Sequence, residues 1–392
     1  MTAFCGLAAG FLTLLFFRIG VAIGEAGCTP PANSLIGDYF IARKRATALG
    51  IYSMGVTIGS VLANLFGGPI AQMQGTDFGR MLSNIGLGPL FTWLDWASIE
   101  GWRIAFVVVG LPGVLVALIV LWTVKEPPRG YSDPPAAAPK PSAHWAEAFH
   151  ELKHKPTFWW MAIGASLVAF VGYGLISFQA PFLQRAHGLD VRDAAIKFGV
   201  PLSLFAALGT FLGGYITEKL TPRLQTAVAW VPAVGLVVAV PTYIAAYLAE
   251  DLNQVLFFWG TAAAFHYAYL GAQYNIGQGV VSNRSRATAI AILLILVSLI
   301  GNGLGPYFVG FISDLFMNLQ LSKGEFAGQL SVERCVTPGL MDAQLRVCEQ
   351  ASATGLRQAL SVTACWFIVA AGCFAMSART LKRDFVAQLE TR

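Results

Sequence analysis

Arg18 and Glu25 stand seven residues apart in the otherwise apolar stretch FFRIGVAIGEAGCTPPANSLIGDYF. A charge inside a membrane helix costs several kcal/mol unless it faces a cavity, a partner or water. Seven residues make about two helical turns, so both groups project from one face, with Gly20 and Gly24 close by. Opposite charges stacked along an apolar face suit the lining of a transport pathway. The bland alternative is a static ion pair that locks helices. Just beyond the pair, Gly27, Pro30 and Pro31 interrupt the helix, either as part of a moving gate or as passive curvature.

A second polar group falls in the span 254–281, which carries His266, Tyr267, Tyr269, Gln273, Tyr274, Asn275 and Gln278. His266, Tyr269 and Gln273 share a helix face and are candidates for a wall around a substrate head group. Interhelical hydrogen bonding is the competing reading. Tyr52, Tyr173, Phe178, Gln179 and Asn302 are weaker candidates for the same pocket. Cys335 and Cys348 lie in the long loop 314–355 with twelve residues between them, a spacing that permits a disulfide in an oxidising compartment. His150-Glu151-Leu152-Lys153-His154 fits the H-E-x-x-H zinc-protease signature. It sits in a polar linker ended by Pro156, without a third ligand or an enclosing domain, so neither a metal, a cofactor nor an enzymatic activity is expected.

These residues need helices to position them. The chain of 392 residues is 56% hydrophobic and 12% charged, about half the charge of an ordinary soluble domain. Its apolar residues run in long blocks such as IAFVVVGLPGVLVALIVLWTV, long enough to cross a bilayer core of about 30 Å. Ten spans are expected, near 1–17, 18–40, 46–72, 102–124, 157–183, 194–217, 224–248, 254–281, 287–313 and 356–378. Most Lys and Arg then fall on one side, including Arg43, Lys44 and Arg45, the linker cations, Lys219, Arg223, Arg284, Arg286 and the C-terminal cluster. By the positive-inside rule that side is cytoplasmic. The net charge of +5 is a matter of topology and calls for no nucleic-acid partner.

Residues 126–143 form a Pro-rich linker, followed by a short amphipathic helix for the cytoplasmic membrane face. The linker separates two halves that repeat. Arg45-Ala46-Thr47-Ala48-Leu49 is matched by Arg286-Ala287-Thr288-Ala289-Ile290, and each copy opens a span that reaches a Gly-Pro. Parallel repeats of this kind are the plan of a two-bundle secondary transporter. The pairs Gly55/Gly59, Gly209/Gly213 and Gly301/Gly305 are spaced for close helix approach. In the 74–101 loop, Trp93 and Trp96 suggest an interfacial segment.

RIGVAIGEAGCTPPANSLIGDYF, RKRATALGIYSMG, GWRIAFVVVGLPG and KEPPRG resemble the spinster-like branch of the major facilitator superfamily, in its fourth to sixth transmembrane helices. GGYITEKLTPR resembles a degenerate copy of the superfamily's cytoplasmic loop motif, with Glu218 in the acidic position and Arg223 at its end. The resemblance implies an all-α polytopic membrane protein of two pseudo-symmetric bundles, with the N-terminal bundle incomplete and about ten of the family's twelve helices present. Residues 1–125 are expected to form the N-terminal bundle, 126–156 the linker, 157–383 the C-terminal bundle and 384–392 a cytoplasmic tail. On this alignment Met1 falls inside the third helix, and a start codon further upstream is expected in preference to a natural fragment.

The implied function is alternating-access, proton-coupled transport of an amphipathic anionic lipid-like substrate, of the lysophospholipid or sphingoid-phosphate class. Arg18 matches the arginine of the family's fourth helix and Glu25 the glutamate of its GEAGC segment. Transport of small organic anions such as sugar acids is the alternative. A transport-incompetent scaffold or sensor is a reading from another class. The expected setting is a monomer in the bacterial inner membrane, with protons, membrane lipids and a small-molecule or lipid substrate as partners.

Overall fold

The computed structural model describes every residue except 29–31, 33–34, 37–38, 41–51, 53–54, 57, 94, 126–144, 283–284, 325 and 386–392. Pro30, Pro31, the Arg43–Arg45 loop, the first copy of the five-residue repeat and the Pro-rich linker lie outside the described residues. Among the described residues the chain is helical, with no strand. That is the expected solution in hydrocarbon, where each backbone polar group needs a partner within its own segment. Six of these helices are long and apolar enough to cross a membrane.

The chain divides into two units, one of residues 1–140 with 191–200, the other of residues 141–190 with 201–392. The first unit contains α1 (Thr2–Cys5), α2 (Phe11–Ala26), α3 (Gly68–Gln72), α4 (Gly75–Asn84) and α5 (Gly101–Thr123). Its first two expected spans meet at residue 17, but the helix breaks earlier, between Gly6 and Gly10. Gly10 begins α2, where the Thr13 hydroxyl accepts from the Gly10 N–H (3.0 Å) and donates to its carbonyl (2.8 Å). Arg103 on α5 donates to the carbonyls of Gly6 (3.2 Å) and Ala8 (2.6 Å), which the break leaves without helical partners. A wide, π-type turn at Ala63–Gly67 precedes Pro69 and another at Ala194–Gly199 precedes Pro201. Proline supplies no N–H and its ring displaces the carbonyl four residues back, which the wider turn accommodates.

The second unit contains α6 (Trp145–Lys153), α7 (Pro156–Ser177), α8 (Gln179–His187), α9 (Val200–Leu220), α10 (Ala227–Leu248), α11 (Leu252–Tyr267), α12 (Tyr269–Gly279), α13 (Arg286–Leu321), α14 (Val332–Val336) and α15 (Asp342–Asp384). Its core lies where α7, α10, α13 and α15 pack together. Small residues permit the approach. A Cβ on Gly305 would collide with the Phe170 carbonyl, and one on Gly209 or Gly213 with the backbone of Ala264 or Ala268. Gly55 and Gly59 meet nothing within 4 Å among the described residues. Two expected spans are broken, at Phe178 between α7 and α8 and at Ala268 between α11 and α12.

At 36 and 43 residues, α13 and α15 measure about 54 and 65 Å, well beyond a bilayer core. Their outer ends carry a small core of Met317, Leu321, Leu330, Cys348 and Ala351. Cys335 and Cys348 are joined there, with Cα atoms 5.6 Å apart.

At the other end of the unit, the carboxylate of Asp384 accepts from the Thr157 N–H (3.0 Å) and hydroxyl (2.8 Å). This caps the first turn of α7, where Pro156 has no N–H to offer and Thr157 supplies the first buried donor. Asp384→Ala strands that donor and is expected to cost about 1–3 kcal/mol, read as a lowered thermal midpoint of the purified protein. Asp384→Asn, which keeps an acceptor, should retain more of the stability.

Candidate functional site

Arg18 and Glu25 lie on the single 16-residue helix α2, and no residue of α2 is buried. Among the described residues, neither side chain makes a hydrogen bond or an ion pair. Their separation along the axis is about 10 Å, too far for direct contact, so a static Arg18–Glu25 bridge is not what this structure contains. The helix ends at Gly27. Beyond it the Cys28 thiol lies 3.9 Å from the Tyr52 hydroxyl, which brings Tyr52 to the end of the helix that carries the pair. Both charges thus present their full bonding capacity to whatever enters beside α2.

The polar wall expected on the span 254–281 is arranged differently. His266 is 3% exposed, Tyr269 7% and Gln273 2%, so this stripe faces the interior of the second unit. The His266 ring stacks on Tyr269 (5.9 Å) and lies against Phe367 (4.6 Å), and its Nδ1 shares a hydrogen bond of 3.2 Å with the Tyr243 hydroxyl on α10. Gly172 on α7 leaves room for the imidazole, because a Cβ there would sit 3.0 Å from Cε1. Gln273 keeps its Oε1 buried without a hydrogen-bond partner among the described residues.

The residues on the exposed side of α12 are Tyr274, Asn275 and Gln278. Tyr173 and Asn302 are exposed as well, and the Tyr173 ring lies against Gly301, next to Asn302. Tyr173, Tyr267, Tyr269 and Tyr274 are close enough to interact electrostatically, so tyrosines from α7, α11 and α12 gather in one place. Phe178 and Gln179 are half-buried at the α7–α8 break. Tyr274 belongs with the candidates on this geometry. The periodicity that marks its helix as polar carries no signal for which side is open.

Glu218 and Arg223 are exposed at the end of α9 and in the turn after it. The H-E-x-x-H segment is helical, with the His150 and His154 rings 5.9 Å apart. Glu151 is engaged elsewhere, accepting from the Ser282 N–H (2.7 Å) and hydroxyl (3.1 Å). A zinc protease needs that carboxylate free as general base, and no group of three metal-ligating side chains occurs among the described residues.

Six long apolar helices define a polytopic α-helical membrane protein, and Arg18 and Glu25 stand without partners among the described residues on the shorter helix α2. Residues 1–306 match the model of the Major Facilitator Superfamily, and the chain belongs to that family, in its spinster-like branch. It shares 53% identity and a TM-score of 0.87 with a bacterial homologue of the human lysosomal transporter Spinster, solved inward-facing and unoccupied. That match covers 98% of this chain and 81% of the other. Against the same kind of homologue in an inward-facing, occupied conformation, identity is 52% and the TM-score 0.82, over 98% and 80% of the two chains. An MFS-type efflux pump of Mycolicibacterium smegmatis is 27% identical over 80% of this chain and 66% of its own length. Human protein spinster homolog 1 is 29% identical over 78% and 56%. The chain therefore spans less than two thirds of the length of these curated relatives.

The Tyr243–His266 bond makes a stability prediction. Tyr243→Phe and His266→Ala each leave a buried polar partner alone, at about 1–3 kcal/mol, and His266→Ala opens a cavity besides. Both should lower the thermal midpoint of the purified protein, His266→Ala by more. The double variant should lose less than the sum; strict additivity would mean that the bond contributes nothing.

Proposed function

We propose that the chain is a secondary active transporter for an amphipathic, anionic, lipid-like substrate, with Arg18 receiving the anionic head and Glu25 carrying the coupled proton. One observation carries the reading: the two charges share α2, a helix with no buried residue, and neither is neutralised by a neighbour among the described residues. A guanidinium in that state offers a planar, two-pronged donor set to a phosphate or carboxylate. A carboxylate two turns away is placed to gain or lose a proton as the anion comes and goes. A relative named an MFS-type efflux pump, and a solved neighbour described as a homologue of a lysosomal transporter, support transport as the activity.

On this reading Tyr52 belongs with the pair. Tyr173, Phe178, Gln179 and Asn302, joined by Tyr274, form the substrate-facing surface of the second unit, and His266, Tyr269 and Gln273 support it from behind. Gly27, with Pro30 and Pro31 beyond it, and Glu218 with Arg223 are the proposed gating elements. The transporter is proposed to act as a monomer, with membrane lipids around it and no cofactor.

Uptake into proteoliposomes tests the substrate. Competition by lysophospholipids but not by sugar acids is expected, and the reverse pattern would move the assignment to small organic anions. Arg18→Ala should reduce uptake roughly tenfold or more, the equivalent of one charge-assisted hydrogen bond.

Coupling is tested separately through Glu25→Gln. Its uptake should no longer vary across a pH series in which the unmodified protein does. A profile that keeps its shape after this substitution rules out Glu25 as the proton carrier.

A further inference from the structure

Residues 74–100, which the charge placement along the sequence puts on the non-cytoplasmic side, precede α5, and the described ones pack into a segment of their own. Its helix α4 ends at Gly86, whose φ of +80° is a conformation that favours glycine. The Leu87 N–H reaches the Leu82 carbonyl (2.9 Å) and the Gly86 N–H the Ser83 carbonyl (3.1 Å), which is the Schellman pattern. Trp96 is the centre of the segment. Its ring lies on Gly79, where a Cβ would collide with it, and against the rings of Phe78 (5.8 Å) and Phe91 (6.3 Å).

With Trp96 taken up inside, the most exposed large apolar side chains of the segment are Met81, Ile85, Leu90 and Trp93, at 45%, 61%, 65% and 76%, with Leu87 at 40% among them. Met81 and Ile85 lie one above the other, between the Phe78–Leu82 face of α4 and Asp77, while Arg80 lies on the side away from Ile85. The only charges on the helix, Asp77 and Arg80, neutralise each other at 3.3 Å.

The position of the segment limits what these side chains meet. Gly101, the first residue of α5, lies against the carbonyls of Ile70, Ala71 and Met73, and Gly75 against those of Trp96 and Ile99. Both ends of the segment are therefore held in contact with the first turn of a membrane-spanning helix. That turn carries Trp102, whose indole donates to Glu100 (2.7 Å), and Arg103, stacked 4.5 Å over the Trp102 ring. An aromatic and a cation at the start of an apolar helix mark the level of the membrane–water interface. Beyond this partly buried start, the apolar surface of α5 is exposed at Val109 and from Leu111 onward.

We propose that Met81, Ile85, Leu90 and Trp93 insert into the headgroup–acyl boundary of the non-cytoplasmic leaflet, making residues 74–100 a membrane-surface anchor of the first unit. The occupant is a phospholipid surface, continuous with the one that covers α5. Arg80, the single cation of residues 74–100, is paired with Asp77 and Glu100 with Arg103 (3.5 Å), so no cation of the segment is left over to attract anionic lipid, and insertion should not strengthen as the anionic fraction rises. This proposal is independent of the transported substrate.

Site-directed nitroxide labelling of the protein in phospholipid nanodiscs tests it. The free Cys5, Cys28, Cys365 and Cys373 are first replaced by Ser, and the Cys335–Cys348 bond is left intact. Labels at Ile85→Cys, Leu90→Cys and Trp93→Cys should relax strongly with dissolved oxygen and weakly with a water-soluble nickel chelate, and a label at Arg80→Cys should do the opposite. Nickel-dominated relaxation at 85, 90 and 93 would place the face in water; immobile labels shielded from both reagents would place it under protein. Either result overturns the anchor. Trp93→Phe provides a check without labels. It should lower the fraction of tryptophan emission quenched by lipids brominated near the carbonyl region, to the same extent in neutral and anionic nanodiscs. An unchanged fraction, or one that grows with anionic content, counts against the proposal.

Discussion

Hydrocarbon offers a polar group nothing to bond to, and each notable feature of this chain is a response to that. Backbone groups are satisfied within helices, so every regular element among the described residues is a helix. Where a helix stops, a side chain from far along the sequence meets what the break exposes. Arg103 takes the carbonyls of Gly6 and Ala8, Asp384 takes the first donors of α7, and Glu151 takes the backbone and hydroxyl of Ser282. Each of these contacts ties two distant stretches together as well as satisfying a group. At Phe178 the break exposes little, because its N–H still reaches the Gly174 carbonyl (3.3 Å) and its carbonyl still receives the Phe182 N–H (2.9 Å).

The same constraint decides what could be read from residues alone. Hydropathy and charge placement locate long helices because the cost of misplacing a charge in lipid is large. The spacing of Arg18 and Glu25 identifies two groups on one helix because a helical period is local. Gly6 and Gly10 carried a local signal for the break ahead of α2, and an extended apolar run hid it. The breaks at Phe178 and Ala268 have neither glycine nor proline at the break itself, so they depend on packing that no local pattern encodes.

Facing is the hardest property to read in a membrane helix. On a soluble helix the apolar stripe marks the core. In lipid the outside is apolar too, and the stripe loses its meaning. His266, Tyr269 and Gln273 share one side of their span, and Tyr274, Asn275 and Gln278 occupy another. Both sets are polar, yet the first is buried and the second exposed. What separates them is Tyr243, 23 residues before His266 on a different helix, together with the space left by Gly172. Tryptophans behave likewise: Trp93 and Trp96 look equivalent in the chain, but only Trp96 meets a glycine that accepts its ring.

These contrasts give a criterion for function that composition does not. A polar group buried among helices with its bonds made, as at Tyr243–His266 or Asp384–Thr157, lowers the free energy of the fold, and substituting it should be felt first as lost stability. A charged group left with its bonds unmade contributes little to the fold, so stability gives no reason for it to be there. Arg18 and Glu25 are of this second kind. On the function proposed for this chain, the free energy withheld from the fold at these two positions is what a bound anion and a proton would draw on, and that difference sets them apart from the better-bonded polar residues of the second unit.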